Sequence, residues 1–195
     1  GDVYKRQDNE LDTLCNYLDA QLDAVRASAY GLDDAAARRT PLRSDLSVSG
    51  ILKHVTFVMA QSLSRAGNEG YKDAAVDFAS SFVPTEEEVL EVLLERFDVV
   101  RADFMQMSRG GDLEAELPVG PFPWYGMDEA RPAKLRYLYV HYVEEFARHA
   151  GHADIMREEL DGAQAAELLA ATEGWEPNEY VTCLLYTSPS PRDGL

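Results

Sequence analysis

In AKLRYLYVHYVEEFARHAGHADIMREELDG, residues 133–162, the positions Leu138, Tyr142, Glu145, His149, His152 and Met156 follow one another at steps of four and three. That is the period of an α-helix, so all six share one face. The face begins and ends on apolar side chains, and the apolar stripe of a helix is the side that packs inward. Pro132 suits the first turn of this helix, which is expected to run to Gly162. Glu145, His149 and His152 therefore lie on a stripe expected to be buried. Burying a charge is costly unless it is paired or holds a cation.

The same period recurs elsewhere. In NELDTLCNYLDAQLDAVRASAYG (9–31), Leu11, Leu14, Cys15, Leu18, Leu22 and Val25 make a stripe, with Gly31 as a left-handed cap. LSVSGILKHVTFVMAQSLSR (46–65) predicts a second helix with Ser47 at its N-cap and Ile51, Val55, Val58 and Ser62 inside. Thr85 and Glu88 have capping-box spacing and predict the start of a third, carrying Val89, Leu93, Phe97, Val100 and Phe104 to Gly110-Gly111. Residues 33–45 and 66–84 read as connectors, and 112–132, with four prolines, as a loop. AQAAELLAAT (163–172) predicts a short C-terminal helix. Four long amphipathic segments without a strand signal predict an all-α fold, a four-helix bundle. The second and third connections exceed the usual ~2–8 residues and are expected to cross the bundle or cover a site at one end.

His54 stands beside Ile51, Val55 and Val58 on the inner stripe of the second helix. Glu145 and His149, at i and i+4, reach one point from the last long helix, where His54 can meet them. Two imidazoles and a carboxylate suit Zn2+, Fe2+ or Ni2+ and leave coordination positions for water or substrate. His152 is either a fourth ligand or a donor outside the ligand set. His141, four residues before Glu145, is the main competing ligand. The alternative is buried histidines that hydrogen-bond a carboxylate and hold no ion. Three ligands with an open position would suit catalysis, whereas His152 as a fourth would close a structural site. Arg157 is expected to pair with Glu158, or else to anchor an acidic substrate. Trp124 and Tyr125 line a pocket rim or plug the bundle end.

With 18 Lys and Arg against 35 Asp and Glu, the chain carries a net charge of −17. Such a surface repels phosphate backbones and anionic membranes, which argues against nucleic-acid and membrane partners. No apolar run approaches the ~20 residues of a membrane span. The ends differ from the body. GDVYKRQ (1–7) and CLLYTSPSPRDGL (183–195) back-translate to the two orientations of a transposase-end adapter used in sequencing libraries. They are expected to be translated adapter, leaving residues 8–182 as one domain. Setting aside Asp2, Lys5, Arg6, Arg192 and Asp193 moves the net charge from −17 to −18. Within 8–182 Cys15 is the lone cysteine, which excludes a disulfide framework and fits a cytoplasmic protein.

SVSGILKHVTFV (47–58) and EEFARHAGHADIMREELDG (144–162) together resemble the DinB-like superfamily. The similarity is closest to a branch of unknown function related to the mycothiol-dependent maleylpyruvate isomerase N-terminal domain, and covers nearly all of 8–182. It implies a DinB-like four-helix bundle with long crossover connections that holds a divalent metal near one end. The implied ligands are His54, Glu145 and His149; the resemblance does not choose the metal, and zinc is the expected ion, ahead of nickel or iron. Many relatives have histidine where Glu145 stands, whereas the maleylpyruvate isomerase branch has glutamate. Many have glutamine where His152 stands. The resemblance further implies a thiol co-substrate, mycothiol or bacillithiol, and an S-transferase or isomerase acting on a small molecule, in a bundle of a kind that often forms homodimers. The residues also allow a metal-dependent hydrolase with bound water as nucleophile, or a non-enzymatic, stress-related metal-binding bundle.

Overall fold

The structure, a computed structural model, describes residues 9–73, 78–121 and 126–176. Both presumed adapter ends lie outside the described residues, as do Trp124 and Tyr125. Among the described residues six α-helices follow in order: α1 (Glu10–Ala27), α2 (Asp34–Ala37), α3 (Val48–Arg65), α4 (Leu90–Arg109), α5 (Leu135–Asp161) and α6 (Ala165–Glu173). Two 3-10 turns, Glu69–Tyr71 and Ala79–Phe82, interrupt the connection between α3 and α4. Among the described residues, no helix is long and apolar enough to cross a membrane.

The long helices α1, α3, α4 and α5 form the all-α bundle that their periodicity predicts. Helix α1 packs on α5 and α4, while α3 packs on α4 and α5. Their stripes meet in one core built from Leu18, Leu22, Ile51, Val55, Phe97, Phe104, Phe146 and Met156. Fully burying a side chain of this kind contributes about 1.5–3 kcal/mol. Helix α6 lies against the end of α1, with Leu168 and Ala163 packed on Ala27. Around the core, arginines tie the acidic helices together. Arg101 on α4 donates to both Asp19 and Asp23 on α1 at 2.6 Å. Arg26 grips Asp98 with two bonds of 2.6 and 2.8 Å.

Three expectations need correction. First, residues 112–132 are not loop throughout: β1 (Glu116–Val119) pairs antiparallel with β2 (Arg131–Lys134), setting Pro118 opposite Pro132. Pro132 thus belongs to a strand, and α5 begins only at Leu135. Second, Thr85 does not open α4. Its amide donates to Glu88 Oε2 at 2.9 Å, but Val89 is still extended and the helix starts at Leu90. The cap comes from elsewhere, because the Leu90 amide donates to Asp34 Oδ1 at 2.8 Å. Third, the connector 33–45 contains that short helix α2. Its Arg38 also binds the carbonyls of Thr85 and Glu88 at 2.8 Å, holding the entry to α4 in place.

Candidate metal centre

Helix α3 delivers His54 to the interior because Ser47 fixes where the helix starts. Its side chain accepts the Gly50 amide at 3.0 Å, and from there Ile51, His54 and Val55 turn inward. His54 is fully buried. Across from it, α5 presents Glu145 and His149 one turn apart. Glu145 Oε1 lies 3.1 Å from His149 Nε2 and 3.5 Å from His54 Nε2. The candidate ligand atoms of the three residues all fall within 4.8 Å of one another.

The turn 79–82 completes the chamber. Phe82 stacks on the His54 ring with centroids 3.7 Å apart and planes 12° from parallel, and Phe78 meets its edge at 5.3 Å. This close approach depends on Gly50, since a Cβ there would sit 2.4 Å from the Phe82 carbonyl oxygen. Ser81 sets the orientation of the imidazole. Its hydroxyl donates its one hydrogen to the Phe78 carbonyl at 2.6 Å. Ser81 Oγ, 2.7 Å from His54 Nδ1, must then accept, so Nδ1 carries the proton. That leaves the lone pair of Nε2 in the chamber, buried and without a hydrogen-bond partner.

The electrostatics follow. Burial pushes the His54 imidazole below 6.5, and the nearby carboxylate does not offset that effect. Glu145 is held well below the usual carboxylate range, chiefly by its bond to His149. A neutral ring thus turns a lone pair towards an ionised carboxylate across 3.5 Å. At that distance it is a poor hydrogen bond even if protonated. A divalent cation between these atoms would remove the repulsion and supply the missing partner. Ligand atoms around a tetrahedral zinc ion stand about 3.3 Å apart. The two separations involving Glu145 bracket that value, so the residues present fit such an ion.

The remaining sequence candidates are placed elsewhere. His152, with its ring centroid 5.8 Å from that of His149, does not join the group of three. Burial and then His149 push its pKa down, and its Nδ1 is buried without a partner. His141 is on the outer side of α5, 3.6 Å from Glu144 and stacked on Tyr137. Arg157 does not pair with Glu158 and does not await a substrate. It is buried, and its Nη1 donates to the carbonyls of Ser28 and Tyr30 at 2.6 and 2.8 Å. Its Nη2 donates to Asp161 at 2.8 Å. Adjacent residues point apart on a helix, whereas i and i+4 share a face, so Asp161 is the partner.

Sequence reasoning missed Ser81, Phe78 and Phe82. Their one signal is an aromatic pair four apart around two serines, in FASSF (78–82), within an otherwise polar connector. Groups that orient a ligand typically change metal affinity 10–100-fold when lost. Ser81→Ala is therefore expected to weaken zinc binding about 10-fold, measured by competition with a chelating dye. An unchanged affinity would mean that the Ser81 bond does not orient His54.

The mycothiol-S-transferase family profile matches residues 13–162, a span that includes both motifs and all three residues of the group. No curated protein and no solved structure matches the chain. The match agrees with the DinB-like, mycothiol-related character of the two motifs and with the all-α bundle. The chain belongs to the mycothiol-S-transferase family.

Proposed function

We propose that His54, Glu145 and His149 hold one divalent cation, zinc in preference to nickel or iron, and that the chain transfers the sulfur of mycothiol to a small-molecule acceptor. The observation that carries this reading is the unpartnered Nε2 of buried His54, aimed at the Glu145 carboxylate within a mycothiol-S-transferase family chain. When bound, the cation would stabilise thiolate over thiol and so supply a sulfur nucleophile at neutral pH. The protein's own groups are arranged around that need. Glu145 brings one negative charge, which offsets part of the cation's charge and leaves the sulfur more electron-rich than three neutral ligands would. Ser81 holds His54 in the tautomer whose lone pair faces inward. Phe82 covers the face of that ring and excludes water from it. Three residues rather than four in the group leave room for a thiol, with His152 kept outside. The acting unit is proposed to be the domain 8–182.

Cobalt reports on this directly. Mycothiol added to the cobalt-substituted protein is expected to give a new near-ultraviolet sulfur-to-cobalt absorption that saturates at one equivalent. A spectrum that mycothiol leaves unchanged would contradict the S-transfer reading. A response to bacillithiol in its place would reassign the co-substrate.

A further inference from the structure

Lys53 immediately precedes His54 on α3, so its side chain leaves the helix about 100° around from the imidazole. There it meets the segment that follows the turn 79–82. Its amine donates to the Val83 carbonyl at 2.8 Å and to Glu88 Oε2 at 2.7 Å. The same Glu88 oxygen accepts the Thr85 amide at 2.9 Å. The Lys53 and Glu88 side chains are only 15% and 19% exposed, so salt screens this pair less than one on the open surface. Arg38 also binds carbonyls of this segment, from Pro84 onward, but it does so from the end of α2. Lys53 ties the segment to the helix that carries His54, and at the residue next to Phe82.

The turn has need of such a tie. Phe78 and Val83, at its two ends, are 54% and 65% exposed, so burial of apolar surface pins neither end. The Phe78 end is held by the Ser81 hydroxyl, and the Val83 end by Lys53. Between these ends lie Ser81, against His54 Nδ1, and Phe82, against the face of the same ring. On α3, Gly50 and Lys53 are three residues apart and so share a face. Gly50 leaves room for the Phe82 carbonyl, where a Cβ would clash, and Lys53 binds the next carbonyl along. Two successive carbonyls of the turn are thus fixed from α3, one by space and one by a bond. The Ser81 contact tolerates little movement. Opening it from 2.7 Å by about 1 Å ends the hydrogen bond.

We infer that Lys53 is a positioning residue of the centre. Through the Val83 carbonyl it holds Ser81 and Phe82 on His54, and so keeps the Nε2 lone pair turned towards Glu145 and His149. Its affinity readout rests on the shared-cation reading, whereas its effect on the His54 ring does not.

Lys53→Met in the full chain keeps the stem and removes the amine. Its zinc affinity is expected to fall about 10-fold, as for Ser81→Ala. Because both residues act through one imidazole, the double variant should bind no more weakly than Ser81→Ala alone. Independent effects would instead multiply to about 100-fold. Lys53→Arg, which keeps a cationic donor, should restore most of the affinity. A lysine with a merely structural role would lower Tm and leave the affinity of the folded protein unchanged. Nitrogen-15 spectra of the chain stripped of metal by a chelator read the ring itself. The parent should show His54 as one tautomer, protonated at Nδ1, and Lys53→Met should show both tautomers. Lys53→Gln, uncharged and shorter than lysine, replaces Lys53→Met if that variant does not fold. An unchanged tautomer in the variant would overturn the positioning role. So would an unchanged zinc affinity, or effects that multiply in the double variant, where the parent binds zinc. A parent that binds no zinc, yet loses its single tautomer on Lys53→Met, would overturn the shared cation and leave the positioning role standing.

Discussion

Alanine at position 54, or at position 149, is expected to take the protein from one bound divalent ion per chain to essentially none. His54 and His149 are the two imidazoles of the group, approaching from different helices. Removing either leaves Glu145 with a single nitrogen partner. The loss should exceed the 10–100-fold typical of a group that only orients a ligand. A heat-stability readout separates this from misfolding. An ion at ~1,000 times its Kd stabilises the folded state by about 4 kcal/mol. For a chain of this size that corresponds to a rise in Tm of roughly 10 °C on adding zinc. Both alanine variants should lose the zinc-dependent rise. His141→Ala should keep it, because that ring stacks on Tyr137 outside the group. A full zinc response in His54→Ala would place the ion elsewhere.

The second large effect is structural. Arg157→Met keeps an apolar stem in a position only 2% exposed and removes the guanidinium. The carbonyls of Ser28 and Tyr30, which follow the end of α1, then lose their donor, and Asp161 loses its cation. Breaking a buried ionic arrangement from one side costs about 3–5 kcal/mol. The expected result is a fall in Tm of about 10 °C or more, with zinc still bound at one equivalent to the fraction that remains folded. A Tm within 2–3 °C of the parent would show that water substitutes for the guanidinium at little cost. Loss of mycothiol affinity at unchanged stability would restore Arg157 as a substrate anchor.

These two cases mark the boundary of what the sequence discloses. The meeting of His54, Glu145 and His149 was legible because each obeys helical periodicity. Glu145 and His149 recur on a stripe ending in Leu138 and Met156, and His54 sits among Ile51, Val55 and Val58 on another. Burying both stripes forces the three together. Arg157 lies next to that stripe, but its partners are carbonyls more than a hundred residues away, and no local pattern encodes such a pairing. The hairpin was hidden for a different reason. Its strands are four residues long and set Pro118 opposite Pro132, and proline lacks the amide that strand pairing uses. The start of α4 misled because Thr85 and Glu88 do form half of a capping pattern, in a turn that precedes the helix. Its true cap, Asp34, lies 56 positions earlier in the chain. Ser81 and Phe82 stand in a connector without any period, and their role appears only once Gly50 lets that turn press onto α3.

X-ray absorption at the zinc edge of the purified full chain tests the central claim most directly. One zinc per chain is expected, with two imidazoles and oxygen donors in its coordination shell, and essentially no zinc retained by His54→Ala. A protein that binds no zinc, or whose zinc spectrum shows no imidazole, would contradict a shared cation at His54, Glu145 and His149.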